Sequence, residues 1–284
     1  SDNVYIIYSA TNSGANSAYD AYYRKLTKGS GSTWTLENAQ TVLDASASTG
    51  FNYATIEIEG TDRLWVAARR FDGTNYQIST YYSDGLTTNP TWQTSENVLS
   101  VAGNRASYHI PAMFRFGNKI GVVYNSQLPT TVMRWRFRED GESLTRWASE
   151  TIINNLTATG PTFSVISDSN ANAYFALNST TNVFFNYWNG SVWSQTATVS
   201  TTAFPNSYVS LTTNGSSVKV IYGESTNLAA GITALSIYKL SYKNGYQPFT
   251  SSEFDINASP VVSYQTTFDK YWSYNGTTYT NDTT

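Results

Sequence analysis

Along most of the chain, apolar and polar residues alternate with a period of two in short runs, separated by clusters of Gly, Asn, Asp and Ser. A period of two places successive side chains on opposite faces of an extended strand, and the aromatic and β-branched content of the runs favours strand over helix. The stretch from Ile78 to Trp92 is the plainest instance. Ile78-Ser79-Thr80-Tyr81-Tyr82 predicts a strand, Ser83-Asp84-Gly85 a tight turn, and Trp92 opens the next strand.

Cruder copies recur along the chain. Upstream, Tyr22 to Gly29 is followed by Trp34; downstream, Arg134 to Gly141 is followed by Trp147, and Phe184 to Gly190 by Trp193. Tyr238 to Gly245 with Phe249, and Tyr271 to Gly276 with Tyr279, complete the series. The turn glycines at 29, 85, 141, 190 and 245 are spaced by 56, 56, 49 and 55 residues. Strands repeating at a near-constant period of that size, with no helix between them, mark a radial repeat array.

Each repeat parses into four strands, counted outward from the hub. The second repeat predicts strands at 52–58, 64–70, 76–82 and 92–99, and the third at 109–114, 119–125, 132–138 and 147–152. The fourth gives 161–166, 173–177, 183–188 and 193–199; the fifth gives 208–212, 218–223, 235–242 and 253–256. The expected fold is all-β, a β-propeller of four-stranded antiparallel blades, with five blades and six as the alternative. One domain spans 1–284. Residues 4–8 resemble a second strand, so the N-terminal repeat lacks its hub strand, and a C-terminal strand near 260–265 is expected to complete it. Residues 268–284 copy the hairpin of the fourth repeat, and their placement separates the five-blade count from the six.

Composition supports this reading and narrows the partners. Aromatic residues make up 15% of the 284 positions and charged residues only 13%. With a net charge of -3 and no Lys/Arg run beyond the alternating Arg134, Arg136 and Arg138, nucleic-acid binding is disfavoured. That arginine series is expected to form a solvated ladder. There is no cysteine, hence no disulfide framework and no thiolate metal site, and no apolar run is long enough to span a membrane. No carboxylate cluster or histidine pair has metal-ligand spacing, so neither a metal nor another cofactor is expected. The chain opens on Ser1 without Met, as a processed chain would, which suits a secreted or cell-surface protein of microbial or phage origin. Seven Asn-x-Ser/Thr triplets are about what so Ser/Thr-rich a chain gives by chance, and the oligomeric state is not written in the sequence.

Ser83-Asp84-Gly85 with Trp92, and Glu139-Asp140-Gly141 with Trp147, resemble the Ser-x-Asp-x-Gly-x-x-x-Trp turn of the Asp-box or BNR repeats of sialidase-like propellers. The first has one residue fewer before its glycine and a longer gap to its tryptophan. In such a turn the Asp accepts backbone N–H bonds while the Trp sits between neighbouring sheets. Asp84 and Asp140 are therefore assigned structural roles. The stretches 63–73 and 108–121 resemble bacterial BNR-repeat proteins linked to polysaccharide use, and the resemblance implies a glycan-related role.

In propellers of this kind the third-to-fourth-strand turns share one face, and the opposite face gathers the loops leading into hub strands and those joining second to third strands. On that opposite face the candidate catalytic residues are His109, Tyr108 and Arg105. The candidate substrate-binding residues are Arg69, Arg70, Asp72, Tyr53, Asn125, Gln127 and Glu224. Guanidinium groups hold carboxylate or sulfate through paired hydrogen bonds, while Tyr and His serve as acid and base. The partner so implied is an anionic polysaccharide or glycoconjugate. In a lyase, Arg neutralises a uronate carboxylate while His109 or Tyr108 moves protons, as in the His/Tyr/Arg sites of some ulvan-degrading propellers; in a sialidase, Arg69, Arg70 and Arg105 would hold the acid. A lone histidine beside a strand start is also a common structural residue, Arg69 and Arg70 alternate faces, and a non-enzymatic glycan-binding or adhesive module is the alternative to an enzyme.

Overall fold

The computed structural model describes residues 3–11, 19–31, 33–43, 50–61, 63–85, 90–93, 97–101, 109–126, 132–156, 162–180, 182–201, 203, 208–214, 217–225, 235–243, 271–274 and 279–282. Among them every regular element is a strand. In the first sheet, β1 (Asn3–Thr11) pairs with β2 (Tyr19–Lys28), whose other edge takes β3 (Trp34–Leu36) and then β4 (Gln40–Leu43).

Three four-stranded antiparallel sheets follow, each in chain order. They are β5 (Gly50–Glu59), β6 (Arg63–Phe71), β7 (Tyr76–Tyr82) and β8 (Asn97–Val101); β9 (Pro111–Phe116), β10 (Lys119–Ser126), β11 (Val132–Glu139) and β12 (Thr151–Asn154); and β13 (Phe163–Ser167), β14 (Ala173–Ser179), β15 (Asn182–Trp188) and β16 (Ala197–Ser200). A fifth sheet joins β17 (Val209–Asn214), β18 (Ser217–Ser225) and β19 (Leu235–Lys243). At the C-terminal end β20 (Tyr271–Tyr274) and β21 (Tyr279–Asp282) pair as the hairpin expected there.

Strands β5, β9, β13 and β17 each lie against the next, so they surround a common axis from which the sheets radiate. This is the propeller architecture. The strand β1 lies against β5, and among the described residues no strand pairs with its free edge. The expected closing strand at 260–265 and the fourth strand at 253–256 lie outside the described residues.

Because a blade has a neighbour on both faces, its second strand is enclosed on both. Leu64 to Arg69 of β6 and Ala173 to Asn178 of β14 are buried without a break, which is why these strands lose the alternation and become continuously apolar over most of their length. Burial of each large apolar side chain here contributes about 1.5–3 kcal/mol. Four clusters of such residues fill the spaces between consecutive sheets.

The turn tryptophans link the blades in a repeating way. Trp92 of the second sheet meets Tyr23 of the first edge-on, with ring centroids 5.8 Å apart. Trp147 of the third meets Trp65 of the second at 5.7 Å, and Trp193 of the fourth meets Trp135 of the third at 5.1 Å. The expected fourth strands start late for the same reason. Trp92 and Trp193 make isolated bridges to Ser83 and Trp188, and the regular strands begin only at Asn97 and Ala197. The pairing of β2 with β4 in the first sheet, and of third with fourth strand in the next three, also shifts register once.

One expectation is corrected. Arg134, Arg136 and Arg138 do not form a solvated ladder: Arg138 is buried against Glu59 of the preceding sheet, with its guanidinium 4.2 Å from the centroid of the Trp65 ring, and Arg134 pairs with Glu150. Local alternation put these arginines on one face, but that face abuts another blade.

Candidate functional site

Cross-strand register places three residues at one level around the axis. Arg69 on β6 stands opposite Asn52 on β5; Asn125 on β10 accepts the Ile110 N–H through Oδ1 at 3.0 Å; and the Asn178 N–H on β14 donates to the Thr162 carbonyl at 2.8 Å. Each is a second-strand residue near the start of its own hub strand: Asn125 and Asn178 meet the residue just before it, and Arg69 meets Asn52 within β5. The second blade contributes a cation at this level, the third and fourth an amide.

Arg69 is the most organised of these groups. Its Nε donates to Asn52 Oδ1 at 2.7 Å, and its guanidinium lies 4.6 Å from the Tyr53 ring centroid and 5.2 Å from that of Tyr76. Only 8% of the residue is exposed, and that burial holds its pKa below the ordinary value while the two phenols act in the opposite direction. An arginine so placed remains cationic, because its ordinary pKa lies far above neutrality. Stacking on two rings also removes most of its rotamer freedom before any ligand arrives.

Tyr53 is held in a backbone conformation that side chains rarely adopt. Pairing of β5 with β6 skips between Asn52 and Thr55, and within this bulge Tyr53 has φ of 52°. The bulge turns the ring outward, leaving Tyr53 43% exposed over the guanidinium. Left-handed backbone at a residue with a side chain costs about 1–2 kcal/mol.

The remaining candidates separate. Arg70 takes the other face, near Asp72 and Tyr81. The Asp72 carboxylate is taken up by its own turn, accepting from the amides of Thr74 and Asn75 and from Gln77 Nε2 at 2.6 Å, and these backbone bonds hold its pKa below the ordinary value. Asn125 is fully buried, with its carbonyl on the Ile110 amide. His109 is likewise fully buried, its ring 6.4 Å from that of Tyr124 and edge-on to it. Glu224 lies on β18 opposite Ser236. Arg105, Tyr108 and Gln127 lie outside the described residues.

Two features escaped sequence reasoning. Tyr76 joins Arg69 because the Asp72–Asn75 turn sets Phe71 opposite Tyr76, which brings Tyr76 onto the Arg69 face one diagonal step away; that register was readable from the hairpin. Behind His109, the Tyr124 hydroxyl donates to Glu150 Oε2 at 2.6 Å, and Arg134 holds the other carboxylate oxygen. Burial, then the Glu150 carboxylate, push the Tyr124 phenol far up, so it stays a proton donor. Glu150 lies in a segment without alternation, and nothing in its neighbourhood announces the partnership.

Among the described residues no group of three or more His, Asp or Glu side chains is placed to hold a metal ion, and no helix is long and apolar enough to cross a membrane.

The fold is a β-propeller of the kind seen in sialidases, arabinofuranosidases and ulvan lyases. An α-L-arabinofuranosidase from Fusarium graminearum superposes on 84% of this chain and 71% of its own, with a TM-score of 0.54 at 15% identity. An ulvan lyase matches 86% of this chain with a TM-score of 0.52 at 11% identity, and a sialidase from Trypanosoma rangeli matches 84% with 0.51 at 10%. The chain covers 65% of that lyase and 43% of that sialidase. At such identities the likeness is one of fold. No family model and no curated protein matches the sequence.

Proposed function

We propose that the protein is an extracellular carbohydrate-active propeller, acting on an anionic polysaccharide as a lyase or glycoside hydrolase. The observation that carries this reading is Arg69, fixed between Tyr53 and Tyr76 with the Tyr53 ring exposed above it. A sugar ring stacks on Tyr53 while its carboxylate or sulfate is drawn to the guanidinium beneath. Where the acid is a uronate, neutralising its carboxylate lowers the cost of removing the neighbouring proton, and His109 with Tyr108 and Arg105 are the groups assigned to that transfer. The three propellers it resembles in fold are named as an arabinofuranosidase, an ulvan lyase and a sialidase, which supports a carbohydrate substrate.

A second reading has its own observation. His109 is fully buried in this arrangement, and the Asp72 carboxylate is spent on its turn, so the exposed part of the site recognises rather than transfers protons. That favours a glycan-binding or adhesive module on the same residues.

One assay separates them. The protein is incubated with anionic and neutral polysaccharides while ultraviolet absorbance reports unsaturated uronates and reducing ends are counted in parallel. Ultraviolet product lost in His109→Ala and Arg69→Ala establishes a lyase; reducing ends without it establish a hydrolase. Retained binding with no product on any substrate establishes the module, and neither binding nor product on any anionic polymer overturns the proposal.

A further inference from the structure

On the opposite face, between the third and fourth blades, three turns enclose a cleft of about 120 Å³. Its walls are aromatic, with Phe116 and Phe137 from the third blade and Trp188 from the fourth, and its rim carries Asn170 and Asn189. From these residues we infer that the cleft is a second binding site, taking a single neutral sugar residue.

Three observations support that ligand. The first is a prepared donor. Asn189 Oδ1 accepts from the Ser191 N–H, the Ser191 hydroxyl and the Val192 N–H at 3.0, 3.1 and 3.0 Å, so the carboxamide plane is fixed and its Nδ2 donor side is turned away from the turn. A fixed amide beside aromatic walls suits a ring with a hydroxyl edge and an apolar face.

The second is charge. Lys119 is the cation in the lining, and its Nζ is 3.2 Å from Glu139 Oε1, so the pair offers little net attraction to an anion. This sets the cleft apart from Arg69, where the cation lies between aromatic rings.

The third is a rigid wall. Ala171 has φ of 64° and Gly117 φ of 57°, and a Cβ built on Gly117 would come within 2.8 Å of the Ala171 Cβ. The two turns meet there at the closest approach glycine permits, which holds the Ala171 side of the cleft against the third blade. The volume is below the roughly 300–1,000 Å³ of pockets for larger ligands, so one sugar residue is the fitting occupant.

The inference stands independently of the anionic site and is tested without it. Glucose, galactose, arabinose and rhamnose are titrated into the ¹⁵N-labelled full chain, with amide shifts mapped by NMR. Shifts confined to the turns at 170–172 and 189–192 are expected with at least one sugar. Affinity should fall at least about tenfold in Asn170→Phe, which fills the mouth, and stay unchanged in Arg69→Ala. No shifts with any sugar up to tens of millimolar, shifts located elsewhere, or equal loss in Arg69→Ala would overturn it. Shift mapping on the unmodified protein decides the matter even where Asn170→Phe folds poorly.

Discussion

Arg138 on β11 and Glu59 on β5 belong to different blades, 79 positions apart, yet they form an ion pair in which each side chain is 1% exposed. The Trp65 indole N–H donates to the second Glu59 oxygen at 3.0 Å, and the Trp65 ring lies under the guanidinium. A buried pair of this kind gains little over an apolar substitute, but breaking it leaves the buried Glu59 carboxylate with the partly exposed Arg63, 3.5 Å from Oε2, in place of its buried partner. Arg138→Met is therefore expected to destabilise the fold by about 3–5 kcal/mol. Adding Glu59→Gln, which keeps an acceptor for Trp65 and removes the buried charge, should recover a good part of the loss. Urea unfolding of the wild type, both single variants and the double variant measures this directly. Additive losses would show that the two residues do not act as a pair.

Two glutamates on β5 titrate in opposite directions. Burial opposes ionisation of Glu59, but the bonds from Trp65 and Arg138 outweigh it and hold its carboxyl below the ordinary 4.5. Its stabilisation is present above 4.5 and disappears as pH falls through its lowered pKa. Burial raises Glu57 against the opposing Ile58 N–H and Arg115, so its contribution is complete below 4.5 and is lost as pH rises through its raised pKa. Glu59→Gln should flatten the acid limb of the stability profile. Glu57→Gln should gain relative stability at neutral pH compared with mildly acid pH. Melting temperatures across the acid range check both signs, and parallel shifts at every pH would contradict the assignment.

The turn tryptophans join the blades, whereas Asp84 only closes its turn; Asp140 differs, accepting the Gly60 N–H of the preceding blade at 3.2 Å and pairing with Arg115 at 2.6 Å. Asp84 accepts the Thr91 N–H at 2.9 Å in an exposed position, and Asp84→Ala is expected to cost about 1 kcal/mol. Trp147, edge-on to Trp65 of the preceding blade, should cost about 3 kcal/mol or more as Trp147→Ala. Calorimetry on the two variants tests the ranking, and a larger loss for Asp84→Ala would reverse it.

What the chain reveals before folding follows the range of the interactions. The described hub strands β5, β9, β13 and β17 fall within about two residues of their expected starts, because each is set by alternation and a neighbouring turn. The placement of Trp92 and Trp147 between sheets was also legible, since the spacing from Gly to Trp is local. The burial of Arg138 was not: its partner lies in another blade, and an alternating arginine series looks identical whether it faces water or a neighbour. The same limit hid the pairing of Tyr124 with Glu150. Arg69 and Tyr53 were both legible as candidates, but not their stack, which depends on a bulge that breaks the period-two rule at Tyr53.

That bulge gives a prediction in which stability and recognition part. Tyr53 has φ of 52°, so any side chain there bears the cost of left-handed backbone, and glycine does not. Tyr53→Ala and Tyr53→Gly both remove the ring over Arg69, and both are expected to lower affinity for an anionic polysaccharide by at least about tenfold. They differ in the backbone alone. Tyr53→Gly should be the more stable of the two by about 1 kcal/mol, although glycine ordinarily weakens a strand interior. Denaturant midpoints of the two variants give the stability difference, and titration with the preferred polymer gives the affinity. Equal stabilities would mean that the bulge relaxes when the ring is removed, so that the Tyr53 stack on Arg69 itself holds the backbone in its left-handed form. Unchanged affinity in both would move recognition away from Tyr53 altogether.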